Sequence, residues 1–313
     1  MKLFKRIVAL AVTGTLLFAL AACGGDQTDE TEAADTKVTA EETAEAASDA
    51  EETEAADETE AADSASADGK IATADDLKEA NLAAQRGTVG HFLAEDLVGE
   101  ENVDNITTFE KYVDAVTALE QDKVVAIVMD ERPAERFVNE REGLMIMPEP
   151  LSVESYAIAI KKGNTELVDE INGYLQEMKE DGSLQAIIDK YNSDVEVKAE
   201  DIDLNVGAAG GTIVMGTEAG FAPYELKVGD GYIGIDIEMM AEIAKKMDKE
   251  LVIENMNFDS LPSAVNSGKI DCAVAGMTVT PEREENMDFS IPYVEDARQV
   301  ILIKTENFAG EAK

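Results

Sequence analysis

The stretch "AAGGTIVMGTEAGFAPYE" (residues 208–225) has the pattern of the start of an α/β domain, yet it lies two-thirds of the way along the chain. Glycines loosen the backbone at 210–211, and "TIVMGT" (212–217) is a nearly continuous apolar run, as in a sheet covered on both faces. A loop with glycine, proline and aromatic residues follows. Because open α/β sheets bind ligands beyond the carboxyl ends of their strands, this loop is predicted to border a ligand.

The chain after this strand alternates between helical and strand patterns. A 3.6-residue apolar stripe over "IDIEMMAEIAKKM" predicts a helix, and "LVIENM" predicts a strand. "FDSLPSAVNSG" predicts a short helix that ends at Gly268, whereas "KIDCAVAG" and "QVILIK" (299–304) predict further strands. Residues 212–307 are therefore expected to form one lobe of βαβ units, and "GMTVTPERE" forms a second loop at its ligand-binding edge.

The region before residue 192 repeats this style. "ANLAAQRG" and "VVAIVMD" (124–130) predict strands, and "TVGHFLAEDLV", "TFEKYVDAVTALEQDK" and "RPAERFVNE" predict helices. "SYAIAIKKG" predicts the last strand of a lobe that covers residues 70–160. Two helices are predicted within 161–191 and are expected to pack on the other lobe, and the polar, glycine-bearing residues 192–211 suit a linker.

The N-terminal residues 1–23 predict export. A basic "MKLFKR" precedes an apolar segment that is too short for a comfortable membrane span. This segment ends at "LAAC", which resembles the lipobox of bacterial lipoproteins, in which Cys23 is lipidated. The alternative is an ordinary signal peptide with an incidental cysteine. We expect an extracytoplasmic protein that a lipid on Cys23 anchors to the cell membrane.

Acidic residues dominate the chain, which holds 67 Asp and Glu against 26 Lys and Arg. Residues 26–68 alone contain 17 acids and one lysine, so residues 24–69 are expected to be a disordered linker. Residues 69–313 carry 50 acids against 22 Lys and Arg, which argues against nucleic acid or anionic lipid as a partner. Cys272 lies in an apolar run and is predicted to be a small core residue.

Three polar positions stand where strands end or helices begin, and each has two interpretations. Arg283 follows "GMTVTPE", where it either clamps a carboxylate through two hydrogen bonds or pairs with a neighbouring glutamate. In "QRGTVGH", Gly87 and Thr88 either form an anion-binding corner at a helix N-terminus or only cap that helix. Asp130 ends a buried strand and either caps the next helix or receives an ammonium group.

Aromatic residues lie beside the same predicted crevice. Tyr224 is expected in the core, whereas Phe221 and Phe258 border the crevice and Phe221 is the better candidate to stack on a ligand. Glu218 is the nearest charge to it, and His91 is expected to be a polar neighbour of the cleft. The sequence contains no catalytic triad, no cluster of metal ligands and no phosphate loop, so no catalytic residue, metal or cofactor is expected.

A family resemblance follows from four segments of the later half: "GTEAGFAPYE", "GYIGIDIEMMAEIAKKM", "FDSLPSAVNSGKIDCAVAGMTVTPERE" and "MDFSIPYVED". They closely resemble the first lobe of bacterial extracellular solute-binding protein family 3, the polar amino-acid-binding proteins of ABC importers. "TADDLKEANLAAQRGTVG", "VVAIVMDERPA" and "YAIAIKKGNTELVDEINGYLQEMKEDGSLQAIIDKY" resemble the second lobe and C-terminal helices. The resemblance implies a two-lobed, type II periplasmic-binding-protein-like α/β fold in which helices sandwich a sheet in each lobe.

The two lobes occur in reversed order relative to this family. Such an order implies a circular permutation, in which residues 192–211 join the family's usual termini. One covalent crossover between the lobes is then expected to remain, at residues 156–161.

The resemblance also assigns roles to residues. Arg283 would bind the ligand α-carboxylate with help from Thr278, Gly276 and Thr88, and Asp130 would receive the α-ammonium group. The remaining predicted contacts surround the ligand side chain or border its corner: Glu218, Phe221, Phe258, Ala275, Met277, Gly87 and Gly90.

The implied function is the capture of a free amino acid, with a polar or basic side chain favoured, and its delivery to an ABC transporter permease. The protein is expected to be a monomer. One alternative is an enzyme on the same fold, similar to cyclohexadienyl or arogenate dehydratases, and another is a ligand-sensing domain. A third is a rearranged chain whose halves exchange between two copies in a dimer.

Overall fold

The computed structural model describes residues 70–193, 196–204 and 209–310, which belong to one compact unit. Cys23, the acidic residues 24–69 and part of the expected linker lie outside the described residues. The strands are β1 (Leu82–Gln85), β2 (Ile106–Phe109), β3 (Ala126–Asp130), β4 (Leu144–Ile146), β5 (Ser152–Tyr156), β6 (Ala159–Lys161), β7 (Thr212–Thr217), β8 (Gly220–Phe221), β9 (Glu225–Val228), β10 (Gly231–Ile233), β11 (Glu250–Asn255), β12 (Cys272–Ala273), β13 (Met287–Phe289) and β14 (Val294–Lys304). The helices are α1 (Val89–Val98), α2 (Tyr112–Glu120), α3 (Glu131–Glu140), α4 (Thr165–Asp181), α5 (Ser183–Tyr191), α6 (Ile235–Lys246), α7 (Leu261–Ser267) and α8 (Pro281–Glu284).

Two mixed sheets define two lobes. In one, the strand order is β2-β1-β3-β14-β4, with β5 paired to β14, and β1 to β3 are parallel. In the other, the order is β11-β7-β12-β6-β13, and β6 runs antiparallel to both of its neighbours. We call the first sheet with α1 to α3 the Asp130 lobe, and the second sheet with α4 to α8 the Arg283 lobe.

The central strand β3 shows why an unbroken apolar run forms a strand here. Side chains alternate across a strand, so Ala126 and Val128 pack into one cluster of buried residues while Ile127 and Met129 pack into the other. Helices contact this strand from both faces. A continuous apolar run is therefore needed, because neither face of the strand meets water.

The predicted elements are present, but some of their boundaries differ. The helix predicted from residue 108 begins at Tyr112, because Thr108 and Phe109 pair with β1 as the end of β2. The single strand predicted from "SYAIAIKKG" is divided at 157–158 into β5 and β6, which belong to different sheets. The hairpin of β9 and β10 has no counterpart in the sequence prediction.

The lobes are joined by two crossovers, so the expected single crossover is wrong. Strand β14, which was expected in the Arg283 lobe, pairs antiparallel with β3, with Gln299 opposite Asp130. The chain therefore passes between the sheets at 157–158 and again at 290–293. The run "QVILIK" suits the centre of either sheet, and its apolar pattern alone could not show which sheet it joins.

The ends of the described chain meet in the Asp130 lobe. Ile71 pairs with Phe308, its N–H donates to the Asn307 carbonyl at 2.7 Å, and the N–H of Ala309 donates back to Ile71 at 2.8 Å. The described residues of the range 158–290 thus form the Arg283 lobe as an insertion between two pieces of the Asp130 lobe. Among the helices of the described residues, none combines the length and apolar character needed to cross a membrane.

Candidate functional site: a cavity between the lobes

A cavity lies between the lobes at the carboxyl ends of their parallel strands, and both lobes contribute side chains to it. The Asp130 lobe supplies Gln85, Thr88, Val89, Asp130 and Gln299. The Arg283 lobe supplies Glu218, Phe221, Glu225, Phe258, Ala275, Gly276, Thr278 and Arg283.

Asp130 is buried at the end of β3 and accepts three side-chain hydrogen bonds. Tyr112 donates to one carboxylate oxygen at 3.1 Å, while Tyr156 and Gln299 donate to the other, Gln299 at 2.8 Å. Burial raises the pKa of Asp130 to about 7, although these hydrogen bonds favour the charged form. Asp130 occupies the cap position of α3, but its side chain makes no cap hydrogen bond, so the carboxylate faces the cavity network instead of the helix.

Arg283 enters the cavity from α8, whose N-cap is Thr280. Its guanidinium donates to the carbonyl oxygen of Thr278 at 2.7 Å and, across the cleft, to that of Gly87 at 3.1 Å. It lies over the ring of Phe258, 5.4 Å from the ring centroid. Burial lowers the pKa of Arg283 to about 10, so the group stays charged at neutral pH and is available to pair with an anion.

The "QRGTVGH" corner is both a helix cap and a wall of the cavity. Thr88 is the N-cap of α1, and its hydroxyl accepts from the N–H of His91 at 3.2 Å while it donates to the carbonyl of Gln85 at 2.8 Å. Gly87 has a φ of +78°, which favours glycine, and its carbonyl reaches Arg283. The only imidazole of the chain, His91, contacts Glu95 at 3.4 Å and does not line the cavity.

A pair of buried carboxyls lies beside the cavity. Asp236 accepts the N–H of Gly276 at 3.0 Å and the hydroxyl of Tyr293 at 2.8 Å. Glu225 is also buried, and burial followed by the nearby Asp236 charge raises the pKa of Glu225 well above its usual range. Two adjacent buried carboxylates would repel each other, so this environment favours the protonated form of Glu225.

The far end of the cavity combines one carboxylate with aromatic rings. Glu218 is buried and accepts the side-chain amide of Gln85 at 3.3 Å across the cleft, and burial raises the pKa of Glu218. Phe221 packs between Tyr112, at 6.0 Å between ring centroids, and Tyr224, at 5.4 Å. Tyr224 is buried in the core, which confirms its predicted position.

A sequence model of the bacterial extracellular solute-binding proteins, family 3, matches residues 35–194 and 213–309. The chain belongs to this family. It has the family's α/β, type II periplasmic-binding-protein-like fold, as the resemblance implied.

Individual relatives match only parts of this family member. The arginine-binding extracellular protein ArtP of Bacillus subtilis (strain 168) is 39% identical over 95 residues, which are 30% of this chain and 37% of that protein. An ancestral arginine-binding protein bound to glutamine is 45% identical, with a TM-score of 0.26 and coverage of 26% of this chain and 37% of that one. An ancestral cyclohexadienyl dehydratase is 31% identical, with a TM-score of 0.26 and coverage of 32% and 41%. The chain thus spans under two-fifths of the length of the first curated relative.

Three predicted ligand contacts of this solute-binding protein do not line the cavity. The side chain of Met277 is buried in the core beneath α7, and Gly90 packs on β3, where an added Cβ would lie 2.9 Å from the Val128 carbonyl. Gly87 contributes only its carbonyl to Arg283. Gly276 does line the cavity, but its N–H is donated to Asp236. A linear motif does not reveal these differences, because they depend on how each residue packs in the tertiary structure.

The sequence prediction missed several polar residues of the site. Tyr112, Tyr156 and Gln299 hold Asp130, Gln85 approaches Glu218, and Glu154 accepts the hydroxyl of Thr278 at 2.7 Å. One available signal was a polar glutamine at the start of the apolar run "QVILIK". No group of three or more His, Cys, Asp or Glu side chains in the described residues could hold a metal ion. Cys272 is buried, and burial raises the pKa of its thiol to about 12.

Proposed function

We propose that this protein captures a free amino acid between its lobes and delivers it to the permease of an ABC importer. The observation that carries the proposal is that Asp130 and Arg283, opposite charges from different lobes, line one cavity. A zwitterion that leaves water needs both of its charges paired, or desolvation prevents tight binding. In this role Arg283 and Thr278 bind the α-carboxylate, and Asp130 binds the α-ammonium group.

Ligand capture is coupled to closure of the lobes because each lobe holds one of the two pairing charges. A ligand that bridges Asp130 and Arg283 stabilises the closed arrangement over an open one. The connection is the antiparallel pair β5 and β14 with its two crossovers, which can act as a hinge.

The side chain of the ligand is proposed to be basic or polar. Once Asp130 and Arg283 pair with the ligand backbone, Glu218 remains as a buried carboxylate at the far end of the cavity. A cationic side chain of the ligand would form an ion pair with the Glu218 carboxylate. Gln85 and the ring of Phe221 suit the amide or methylene part of such a side chain. The relatives that are named for arginine binding support this choice.

The order of the two lobes in the chain is proposed to result from a circular permutation. The protein is also proposed to be anchored to the membrane by a lipid on Cys23. Support comes from the two separate family matches, 35–194 and 213–309, and from the adjacent positions of Ile71 and Phe308. The protein is proposed to be a monomer, in which both sheets form within one chain. Size-exclusion chromatography tests this point, since exchanged lobes would give a stable dimer.

Calorimetric titration of the purified protein with the common amino acids tests the proposed function. Binding of at least one amino acid is expected, and Arg283→Ala should abolish it. The matched control is Arg298→Ala, which removes an exposed arginine that pairs with Glu131 at 3.5 Å outside the cavity. If no amino acid binds, or if Arg283→Ala binds as tightly as the wild-type protein, the proposal is rejected.

The same protein sample distinguishes a receptor from a dehydratase. Glu218 and His91 are the two side chains near the cleft that could serve such an enzyme as an acid, and of these only Glu218 lines the cavity. A receptor is expected to leave prephenate and arogenate unchanged, whereas turnover that Glu218→Gln abolishes would identify an enzyme instead.

A further inference from the structure

Glu154 lies on β5, just behind the cavity wall that carries Thr278. One of its carboxylate oxygens accepts the Thr278 hydroxyl at 2.7 Å and the side-chain amide of Gln299 at 3.3 Å. Its other oxygen accepts the hydroxyl of Ser152 at 2.8 Å. Glu154 is only half-buried and belongs to the Asp130 lobe, so the bond to Thr278 spans the two lobes.

The bond to Glu154 uses the hydroxyl that the proposed function assigns to the ligand. A threonine hydroxyl carries a single proton and can donate it to one acceptor at a time. When Thr278 donates to Glu154, it cannot donate to an α-carboxylate that is held by Arg283. The two carboxylates therefore compete for one donor, and their negative charges also repel each other.

The environment of Arg283 indicates the same competition. Burial lowers the pKa of Arg283, whereas the negative charges of Glu154 and Asp130 raise it. Of these two charges, Glu154 has the larger effect. Glu154 thus supplies part of the negative charge that a bound α-carboxylate would supply, and it does so from within the protein.

We propose that Glu154 competes with the ligand α-carboxylate for the Thr278 hydroxyl. Glu154 accepts this hydroxyl in the unbound protein, and the ligand α-carboxylate replaces Glu154 as the acceptor when it binds. The inference rests on the proposed function and adds a residue that limits affinity. A purely structural glutamate would weaken binding when replaced, because its loss would loosen the hinge. A competitor does the opposite, and its replacement strengthens binding.

The decisive variant is Glu154→Gln, whose amide oxygen can still accept from Thr278 but without a charge. Because a hydrogen bond to a charged group is stronger than one to a neutral group, the Kd for arginine, or for whichever amino acid the wild-type protein binds, is expected to fall on the order of 10-fold. Glu295→Gln is the matched control. It removes the same charge from an exposed residue near the second crossover, where it pairs with Lys179 at 2.7 Å, and should leave the Kd unchanged.

A double-mutant cycle tests whether the effect passes through Thr278. In a Thr278→Val background the shared hydroxyl is absent, so the gain from Glu154→Gln should shrink. Glu154→Asp provides an independent variant should Glu154→Gln fail to fold, because the shorter side chain lengthens the bond to Thr278 and should also strengthen binding.

The outcomes separate this inference from the proposed function. If the wild-type protein binds an amino acid but Glu154→Gln and Glu154→Asp bind it equally or more weakly, the competitor role is overturned and the receptor role stands. An undiminished gain in the Thr278→Val background would also overturn it. If the wild-type protein binds no amino acid, the proposed function fails together with the inference.

Discussion

Lowering the pH is expected to weaken ligand binding through protonation of Asp130. Burial raises the pKa of Asp130 to about 7, and the charge of Glu154 contributes to the shift, while hydrogen bonds from Tyr156, Tyr112 and Gln299 oppose it. A protonated Asp130 cannot pair with the ligand ammonium group. Below that pKa, binding must therefore release the proton, and the free energy of that release reduces the observed affinity.

The size of the effect follows from the pKa of about 7. Each pH unit below that value lowers the affinity by ~10-fold, or ~1.4 kcal/mol, so the Kd at about pH 5 should be ~100-fold higher than at about pH 8. Stability should change in the opposite direction. The folded pKa lies above the ordinary 3.8, so between these values the folded protein binds more protons than the unfolded chain, and the unbound protein loses stability as the pH rises.

Titration calorimetry in two buffers of different ionisation enthalpy measures both the affinity and the protons released. About one proton is expected to leave per ligand near pH 6 in the wild-type protein, and Asp130→Asn should abolish this release. Glu218→Gln is the control, because burial also raises the pKa of Glu218. A constant affinity down to pH 5, or loss of the proton release in Glu218→Gln instead of Asp130→Asn, would contradict the role given to Asp130.

Three further predictions concern Arg283 as the carboxylate-binding residue, the packing of Gly276 and the order of the lobes in the chain. Arg283→Lys should raise the Kd by ~10- to 100-fold in calorimetry, because an ammonium cannot form the two parallel bonds of a guanidinium; an unchanged Kd would contradict the carboxylate role. Gly276→Ala should lose ~1–3 kcal/mol in urea unfolding, since its φ is +53° and an added Cβ would lie 2.5 Å from the Phe221 ring; equal stability would argue against this packing. A chain that joins Phe308 to Ile71 by a short linker and opens at 192–211 should bind the same ligand with a similar Kd, and failure to fold would count against the permutation.

The individual strands and helices were largely predictable because their residues carry local signals. The apolar run "VVAIVMD" predicts β3 without reference to any partner, and Thr88 and Gly268 mark the ends of helices through their capping preferences. The segments that carry Glu218 and Arg283 were also predictable as ligand-binding segments, because they follow strands at the edge where open sheets bind ligands.

The failures share one cause, which is that they depend on contacts distant in sequence. Strand β14 joins the Asp130 lobe because it pairs with β3. The apolar sequence of β14 does not indicate which strand it pairs with. For the same reason Gln299 and Glu154 were missed, since their significance arises only from the hydrogen bonds that they make to Asp130 and Thr278. The position of Met277 likewise depends on tertiary packing, since its side chain is buried in the core beside α7.

Local patterns in the chain thus indicated the α/β class, and the resemblance to the family indicated the two charges, Asp130 and Arg283, that line the cavity. The tertiary structure alone decided that the lobes are joined twice and that Glu154 holds the hydroxyl of Thr278. The physical reason is that the two kinds of interaction act over different separations along the sequence. Helix caps, apolar periodicity and turns act over a few residues, whereas sheet pairing and buried hydrogen bonds bring together residues more than a hundred positions apart, such as Glu154 and Thr278.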